Sequence, residues 1–374
     1  MNLLYVADNG FSFYDGKFYC TYPNKINFEQ YQRFFNKIHI IARKCEYQDG
    51  AFEIDSGSHV LLIKKYNFFE LFKAMKKIHD VYDIVLARNG INGVFACYFA
   101  GLLHKPTIAY CGSDPYALQM AKRSLIRKAF APIWRKFEQE KMKRANYAHY
   151  CTNYLFNQYP TRHPYLICSN VNINMDVADW EDRNGRIWRK HTVYVIGMIG
   201  KAIENKGIKT VIRALAKLGK EYRFELVGDE LPESLLPEIQ KEHVDGQMTF
   251  FGYWNDKDRI KGWLKSLDVY VQPSLSEGLP RATIEAMAVG CPCVATNIAG
   301  LPDILDKEYL IPPRDSDALA EKIKWLAENR AEAKKAAEKN FQKAKEFEQT
   351  VRDKKMDEFY YQIIQLEKAR KENV

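Results

Sequence analysis

Short apolar runs alternate with helix-length amphipathic segments along most of the chain, and each run has the length of a β-strand. Continuous apolar strands separated by helices are typical of parallel sheets that are covered on both faces. The pattern therefore predicts α/β domains of the doubly wound type, in two successive series. The predicted strands are 3–7, 39–42, 60–63, 83–87, 107–111, 193–199, 224–227, 248–251, 267–272 and 293–296.

A polar stretch over residues 170–191 separates the two series. We predict a first domain over 1–175, a second over 176–350 and a terminal helix over 351–374 that can cross back to the first domain. Two such domains would place the carboxyl ends of both sheets around one cleft. From Asp315 onward the chain is rich in Ala, Lys and Glu, which predicts a solvated helical tail, and Asp315 is interpreted as a helix start rather than part of a metal-binding motif.

The composition is that of a folded protein without membrane spans. Of the 374 residues, 47% are hydrophobic and 28% are charged, which excludes a disordered chain. Because no apolar run approaches about 20 residues and the start lacks a secretory signal, we expect a cytoplasmic protein. The net charge of +9 is compatible with an anionic partner, but a total charge alone does not indicate nucleic-acid binding, and we expect none.

Neither the cysteines nor the histidines form a metal-binding pattern. The eight cysteines are scattered, and the one close pair, Cys291 and Cys293, has no matching ligands nearby, so buried free thiols are predicted. His104, His149 and His163 are interpreted as structural or exposed. We therefore expect no metal and no cofactor.

The most informative stretch is SLSEGLPRATIEAMAVGCP, which begins at Ser274, follows a predicted strand and opens a helix. Gly278 permits close backbone approach, and free amides at a helix start favour a phosphate or a polar sugar. Glu277 and Glu285 lie eight residues apart, one on the loop and one on the helix, and can reach opposite ends of an extended ligand. The alternative is a pair of carboxylates favoured only by the helix dipole.

This stretch resembles the retaining glycosyltransferases of family 4 in its E-x7-E pattern, formed here by Glu277 and Glu285. That family has the GT-B fold of two Rossmann-like domains and uses nucleotide-sugar donors. The resemblance implies that Glu277 acts beside the transferred sugar and that Glu285 binds the donor ribose. It also implies that the backbone of Gly278, Leu279 and Pro280 faces the sugar and the diphosphate.

A second match is GKAIENKG, which begins at Gly200 and looks like the family's G-R-x4-K-G loop. Lys201 stands where the family has Arg, and Lys206 is the second cation. Two cations on a glycine-flanked loop can neutralise a leaving diphosphate without a metal, although Lys lacks the bidentate fork of Arg. Isolated lysines are alternatively solvated surface charges.

Two further strand ends fit the pattern of the second domain. By resemblance, Gly228 lies near the donor, and Tyr253 or Trp254 lies near the nucleobase. An aromatic pair at a strand end is alternatively core or lid packing.

The first domain carries weaker matches. Asp8-Asn9-Gly10 sits where the family has a glycine-rich turn, which makes Gly10 a donor-binding candidate. The sequence from Cys111 to Asp114 resembles an H-G-S-D strand end that faces the acceptor, with Cys111 in the place of the usual His. Asp114 is therefore the nearest candidate for a catalytic ionisable group, and Arg88 at another strand end can approach the acceptor.

Residues 122–144 form a basic amphipathic segment in which bases outnumber acids. One interpretation is a packed helix with a solvated basic face. The other is a surface that rests on anionic lipid and presents a lipid-linked acceptor. The bases are Lys122, Arg123, Arg127, Lys128, Arg135, Lys136, Lys141, Lys143 and Arg144.

Together these features predict a metal-independent retaining glycosyltransferase that moves a sugar from a UDP- or GDP-sugar to a hydroxyl of a glycan or lipid-linked acceptor. The expected setting is surface polysaccharide or glycolipid synthesis, at the inner face of the plasma membrane. Two alternatives stay open: a catalytically silent GT-B subunit, and a nucleotide-sugar epimerase on the same fold. A nicotinamide-dependent enzyme is disfavoured because no G-x-G-x-x-G follows a strand. The sequence leaves the base, the sugar, the acceptor, the linkage and the oligomeric state open.

Overall fold

The computed structural model describes residues 1–47, 51–54, 57–64, 67–122, 124–187 and 192–372. The chain divides into two compact units. The first unit consists of Met1–Met120, Ser124–Asn170 and the C-terminal segment from Asp353. The second unit is Val171–Arg352, to which the short stretch from Ala121 also belongs.

The first unit is built on a sheet of nine strands, counted over the described residues. The strands are β1 (Leu3–Tyr14), β2 (Lys17–Cys20), β3 (Ile38–Lys44), β4 (Phe52–Glu53), β5 (Val60–Ile63), β6 (Ile84–Ala87), β7 (Thr107–Cys111), β8 (Tyr147–Tyr150) and β9 (Tyr165–Ile167). Its parallel part has the order β5-β3-β1-β6-β7-β8-β9, and β2 and β4 extend it as antiparallel strands.

Helices lie along the chain between these strands. They are α1 (Tyr22–Tyr31), α2 (Phe68–Lys77), α3 (Ile91–Leu102), α4 (Pro115–Met120), α5 (Leu125–Arg144) and α6 (Asn153–Gln158). Strands β6 and β7 are buried at every position, as expected of central parallel strands covered on both faces.

The second unit contains six parallel strands among the described residues, in the order β12-β11-β10-β13-β14-β15. They are β10 (Tyr194–Ile199), β11 (Tyr222–Val227), β12 (Met248–Phe250), β13 (Val269–Gln272), β14 (Cys293–Thr296) and β15 (Leu310–Ile311). The helices are α7 (Val177–Ile187), α8 (Ile208–Leu215), α9 (Leu236–Lys241), α10 (Lys257–Ser266), α11 (Arg281–Ala288), α12 (Ser316–Glu328) and α13 (Arg330–Ala344).

The last helix, α14 (Gln349–Glu372), contributes to the core of the first unit. Tyr360 is fully buried, and its ring packs against those of Tyr31, Phe34 and Phe35. The prediction of a solvated tail is therefore wrong for this face of the helix.

Local signals account for several helix starts. Asp315 caps α12 by accepting a hydrogen bond from the Ala318 amide at 2.9 Å, so its interpretation as a helix start is confirmed. The polar stretch 170–191 contains α7, whose Arg183 is buried and donates to the carbonyls of Leu264 and Leu267. This stretch is thus partly helical and packed within the second unit, while residues 188–191 lie outside the described part.

Candidate functional site

The predicted donor-binding segments of the second unit lie at one edge of its sheet. Gly200 and Lys201 follow β10, Gly228 follows β11, and Glu277 lies in the loop between β13 and α11. Because these strands are parallel neighbours, their carboxyl ends meet at the same edge. The sheet thus gathers motifs that are far apart in sequence.

Glu277 and Lys206 are in direct contact. The Nζ atom of Lys206 lies 2.5 Å from Oε1 of Glu277, and the two side chains are 23% and 10% exposed. The same oxygen accepts hydrogen bonds from Ser274 Oγ at 2.6 Å and from Gln272 Nε2 at 3.0 Å. Within the described part of the chain, no residue donates to Oε2 of Glu277, so this oxygen is available to a ligand.

Backbone contacts fix the loop that carries Lys206. The Leu275 amide donates to the Asn205 carbonyl at 2.8 Å, and Asn205 Nδ2 donates to the Ser276 carbonyl at 3.0 Å. Gly207 has a φ of +72°, and a Cβ there would overlap the carbonyl oxygen of Pro273. Only glycine permits this close approach, which brings Lys206 to Glu277.

The loop after β10 is fixed by its neighbours, but Lys201 itself is exposed. The Gly200 amide donates to the Val227 carbonyl, and Gly228, with a φ of +130°, packs directly on the carbonyl of Gly200. Asp229 accepts a hydrogen bond from the Ala202 amide at 2.7 Å. The structure therefore pairs Lys206 with Glu277 and leaves Lys201 at the solvent-facing start of the same loop.

Glu285 lies on α11 and lines a cavity of about 280 Å³ within the second unit. Burial raises the pKa of its carboxyl above the usual value, while the positive charges of Arg281 and Lys257 oppose this shift. Lys257 and Asn172 line the same cavity and were not identified from the sequence. Lys257 begins α10 behind an Asp256 cap, and a helix start near a strand end was the available signal.

Leu279 and Gly278 are half-buried in the loop, and Pro280 is the residue before α11. Tyr253 is 78% exposed. Trp254 is half-buried and packs against other side chains, with its ring 5.1 Å from that of Phe251 and 3.8 Å from the Arg259 guanidinium. Packing thus accounts for Trp254, and Tyr253 is the accessible ring of the pair.

Gly10 does not lie in a turn. It belongs to β1, where the pairing with β3 shifts between Ala7 and Phe11, and its φ is +85°. The prediction of a glycine-rich turn after a short first strand is therefore wrong. The carbonyl of Gly10 accepts a hydrogen bond from the Thr21 amide, which ties this irregularity to the start of α1.

Asp114 is buried, and its carboxylate is occupied by donors of the first unit. The hydroxyl groups of Tyr159 and Tyr154 donate to it at 2.5 and 2.6 Å, and the Ala117 amide donates at 3.1 Å. These contacts favour a structural role at the start of α4. They were not visible in the sequence, because the two tyrosines are 40 and 45 positions away.

Cys111 is fully buried on β7, and burial raises the pKa of its thiol well above the usual value. A protonated thiol here does not replace the basic imidazole of the related motif. Nearby, Lys141 and Glu138 form a buried ion pair at 2.6 Å, and Lys141 also donates to the Tyr110 carbonyl. This buried pair, rather than a histidine, provides the charged groups behind the strand end.

Helix α5 exposes apolar and basic side chains together. Leu125 and Ile126 are 80% and 71% exposed, and Phe130 is 53% exposed. Arg127 and Lys136 are exposed on the same helix, whereas Lys141 is buried. Arg123 lies outside the described residues. In the part of the chain that the structure describes, no helix is long and apolar enough to span a bilayer.

The second unit has the clearest sequence match to known proteins. Residues 181–344 match the family model described as glycosyl transferases, group 1. Most of the second unit is thus similar in sequence to group 1 glycosyltransferases. The matched range is less than half of the whole chain, and the first unit lies outside it.

Two curated relatives extend this result. The chain is 26% identical to Protein CapJ of Staphylococcus aureus over 337 residues, which are 84% of this chain and 83% of CapJ. It is 33% identical over 128 residues to the putative teichuronic acid biosynthesis glycosyltransferase TuaC of Bacillus subtilis, which are 33% of this chain and 31% of TuaC. Together these matches support a glycosyltransferase.

Solved structures share the fold. The crystal structure of Anabaena HepE in complex with UDP superposes with a TM-score of 0.69 at 16% identity, over 99% of this chain and 100% of HepE. Two Rossmann-like parallel-sheet domains and a helical C-terminal region match GT-B glycosyltransferase structures, as the sequence predicts.

Proposed function

We propose that this protein is a retaining family 4 glycosyltransferase that transfers a sugar from a UDP- or GDP-sugar to an acceptor hydroxyl. The observation that carries the proposal is the Lys206–Glu277 pair at the carboxyl edge of the second sheet, inside the range that matches group 1 glycosyltransferases. The UDP bound to the structurally similar HepE supports a nucleotide-sugar donor.

In this proposal the diphosphate lies against Lys206, with Lys201 and the amides after Gly278 adding positive potential. Oε2 of Glu277 accepts a hydrogen bond from a hydroxyl of the transferred sugar. Ser274 and Gln272, which donate hydrogen bonds to Oε1, hold the carboxylate in place. Glu285 accepts hydrogen bonds from the ribose hydroxyls. The bond between the anomeric carbon and the diphosphate oxygen breaks, the acceptor oxygen forms the new bond, and its proton passes to the leaving diphosphate. The cations supply the charge neutralisation in this scheme, so we propose no metal.

The proposed biological setting is surface polysaccharide or glycolipid synthesis, with a glycan or lipid-linked acceptor. The similarity to TuaC, whose name places it in teichuronic acid biosynthesis, supports this setting. We assign acceptor recognition to the first unit, because the group 1 match covers only the second.

Product analysis with a panel of UDP- and GDP-sugars tests the reaction. Free nucleotide together with a new glycoside supports transfer. An isomerised donor indicates an epimerase, and binding without turnover indicates a silent subunit. We expect Glu277→Ala to abolish turnover and Glu285→Ala to weaken donor binding, and full activity in both variants would remove this site assignment.

We also propose that the exposed face of α5 rests on the inner face of the plasma membrane. The exposed Leu125 and Ile126 beside Arg127 support contact with an anionic bilayer. Flotation with phosphatidylglycerol and phosphatidylcholine vesicles tests this, using the charge-reversed variant Arg127→Glu with Lys136→Glu. The matched control is Lys73→Glu with Lys76→Glu, two exposed lysines of α2. Equal binding of both variants to phosphatidylglycerol would contradict the proposal.

A further inference from the structure

Arg88 occupies the centre of the carboxyl edge of the first sheet. It follows β6, which lies between β1 and β7. Its guanidinium carbon lies 3.7 Å from the ring centre of Tyr110 on β7 and 5.6 Å from that of Tyr5 on β1. Both tyrosines are buried. The Arg88 guanidinium is therefore stacked on aromatic rings at the end of the sheet.

Arg88 has no acidic partner among the residues that the structure describes. Among the described residues Arg88 makes no ion pair, and its buried Nη1 atom has no hydrogen-bond partner. The groups that interact with its charge are Tyr5, Tyr110, Tyr31 and Cys151, which are all neutral near pH 7. Charges that are partly withdrawn from water are normally paired, so this half-buried guanidinium without an acidic partner indicates a site that an anion completes.

The acids closest in the chain to this edge are already engaged elsewhere. The two carboxylate oxygens of Asp8 each accept a hydrogen bond at 2.9 Å, from the Ile91 and Asn92 amides at the start of α3. Asp114 is occupied by tyrosine hydroxyls, as described above. Both carboxylates are held by these donors, and neither is among the groups that interact with the charge of Arg88.

Neutral polar groups lie at the ends of the same strands. Asn89 Nδ2 donates to Ser113 Oγ at 2.7 Å, and the Gly112 amide donates to Asn89 Oδ1 at 2.9 Å. These bonds join the end of β6 to the end of β7. Arg88, Asn89 and Ser113 are all half-buried, so a ligand at this edge can reach them.

We propose that Arg88 binds an anionic group of the acceptor, a phosphate or a carboxylate, at the carboxyl edge of the first sheet. This inference rests on the proposed transferase function and adds the charge class of the acceptor to it. The planar guanidinium, held flat on Tyr110, can present two parallel N–H donors to either oxyanion. A phosphate-linked sugar and a uronic acid would both satisfy this chemistry.

Saturation-transfer NMR on the full chain with UDP present tests the proposal with three probes. They are glucose 1-phosphate, methyl β-glucuronide and the neutral methyl β-glucoside. We expect at least one anionic probe to bind at least about tenfold more tightly than the glucoside, as for a hydrogen bond between charged groups. A preference for glucose 1-phosphate identifies a phosphate-bearing acceptor, and a preference for the glucuronide identifies a carboxylate-bearing one.

Three variants assign the preference to Arg88. Arg88→Met removes the charge at similar length and should abolish the preference, whereas Arg88→Lys should retain part of it. Arg162→Met, an exposed arginine of the first unit, is the matched control and should retain all of it. Anionic probes that bind wild type no better than the glucoside would overturn the proposal. A full preference in a folded Arg88→Met protein would do the same.

UDP titrations of the same samples keep the two proposals distinguishable. The donor site lies in the second unit, so UDP should bind wild type and Arg88→Met equally. If UDP binds neither protein, the donor proposal fails, and the charge preference of the first unit can still be measured. A stabilising role for Arg88 alone would lower the melting temperature of Arg88→Met and leave the ratio of probe affinities unchanged.

Discussion

Gly207 shows how one backbone position can control the contact between Lys206 and Glu277. Its φ is +72°, and a Cβ would overlap the Pro273 carbonyl, so a side chain adds both strain and steric conflict. We expect Gly207→Ala to lower the free energy of unfolding by about 1–3 kcal/mol. It should also weaken UDP binding, because Lys206 is the preceding residue. Urea denaturation and titration calorimetry measure the two effects.

Gly262 provides the matched control for this substitution. It lies inside α10, and an added Cβ would meet no atom within 4 Å. Gly262→Ala should therefore be neutral or stabilise by about 0.5–1 kcal/mol, since alanine favours helix. Equal stability of the two variants would show that the Gly207 loop adapts freely.

The raised pKa of Glu285 predicts that the stability difference between wild type and Glu285→Gln changes with pH. Burial raises its pKa above the ordinary value of 4.5, so the folded state disfavours the charged carboxylate. Its stabilising contribution is fully present below pH 4.5 and is lost as the pH rises through the raised pKa. Glu285→Gln should therefore become more stable relative to wild type as the pH rises through that range. Thermal melts at a series of pH values measure this difference.

A ligand should reverse this trend if Glu285 binds ribose. Hydroxyl donors favour the ionised carboxylate, so UDP affinity of the wild type should fall as the pH drops through the raised pKa. In Glu285→Gln this pH dependence should disappear. If the melting temperatures of wild type and Glu285→Gln without ligand change equally with pH, the burial of the Glu285 carboxyl is contradicted.

The residue-level predictions that the structure brings together rest on chemistry that is local in sequence. Glu277 and Lys206 were identified from short loops that begin at glycine-marked strand ends, and the sheet brings them into contact. The surroundings of Asp114 depend on Tyr154 and Tyr159, which follow another strand. Hydrogen bonds between residues this far apart in the chain leave no local signal in the sequence.

At the scale of elements, the packing of α14 departs from the solvated tail that its sequence predicts. Tyr360 is buried, while its neighbour Tyr361 is 50% exposed. We expect Tyr360→Ala to destabilise the first unit by about 3–5 kcal/mol, as for other large aromatic truncations. Tyr361→Ala should cost less than about 1 kcal/mol. Urea unfolding of both variants measures this contrast, and equal losses would contradict the docking of α14.

The strands were predicted best where apolar residues are continuous. The predicted ranges 107–111 and 293–296 coincide with β7 and β14. Strand β8 was missed because Tyr-Ala-His-Tyr lacks an aliphatic run, although all four residues are buried. His149 is satisfied there by Tyr360 at 3.0 Å and by the Cys168 carbonyl at 2.9 Å. Tertiary partners make this polar sequence suitable for the core.

For the whole molecule, the order of the chain predicts an asymmetry between the units. The second unit is almost continuous, whereas the first needs the segment from Asp353. We expect a fragment of residues 171–352 to unfold cooperatively and to bind UDP with an affinity close to that of the full chain. A fragment of residues 1–170 should melt at a lower temperature and bind a hydrophobic dye.

A fusion of the two parts of the first unit tests the reason for this asymmetry. Joining residues 353–372 to the 1–170 fragment through a flexible linker should restore cooperative melting and remove dye binding. A 1–170 fragment that is already as stable as the first unit of the full chain would contradict the prediction. Dye fluorescence and calorimetry distinguish the two outcomes.

The packing of α14 on the first unit also affects how the protein folds during translation. On a ribosome, domains usually fold in the order in which they emerge. Here the strands and α1 of the first unit emerge early, but α14, which packs on the aromatic side chains at the end of α1 and just after it, is synthesised after the second unit. Translating the residues in between takes roughly 10–40 s at typical rates of about 5–20 residues per second. During that interval Tyr31, Phe34 and Phe35 lack the helix that packs on them, so we expect ribosome-associated chaperones to bind the nascent chain.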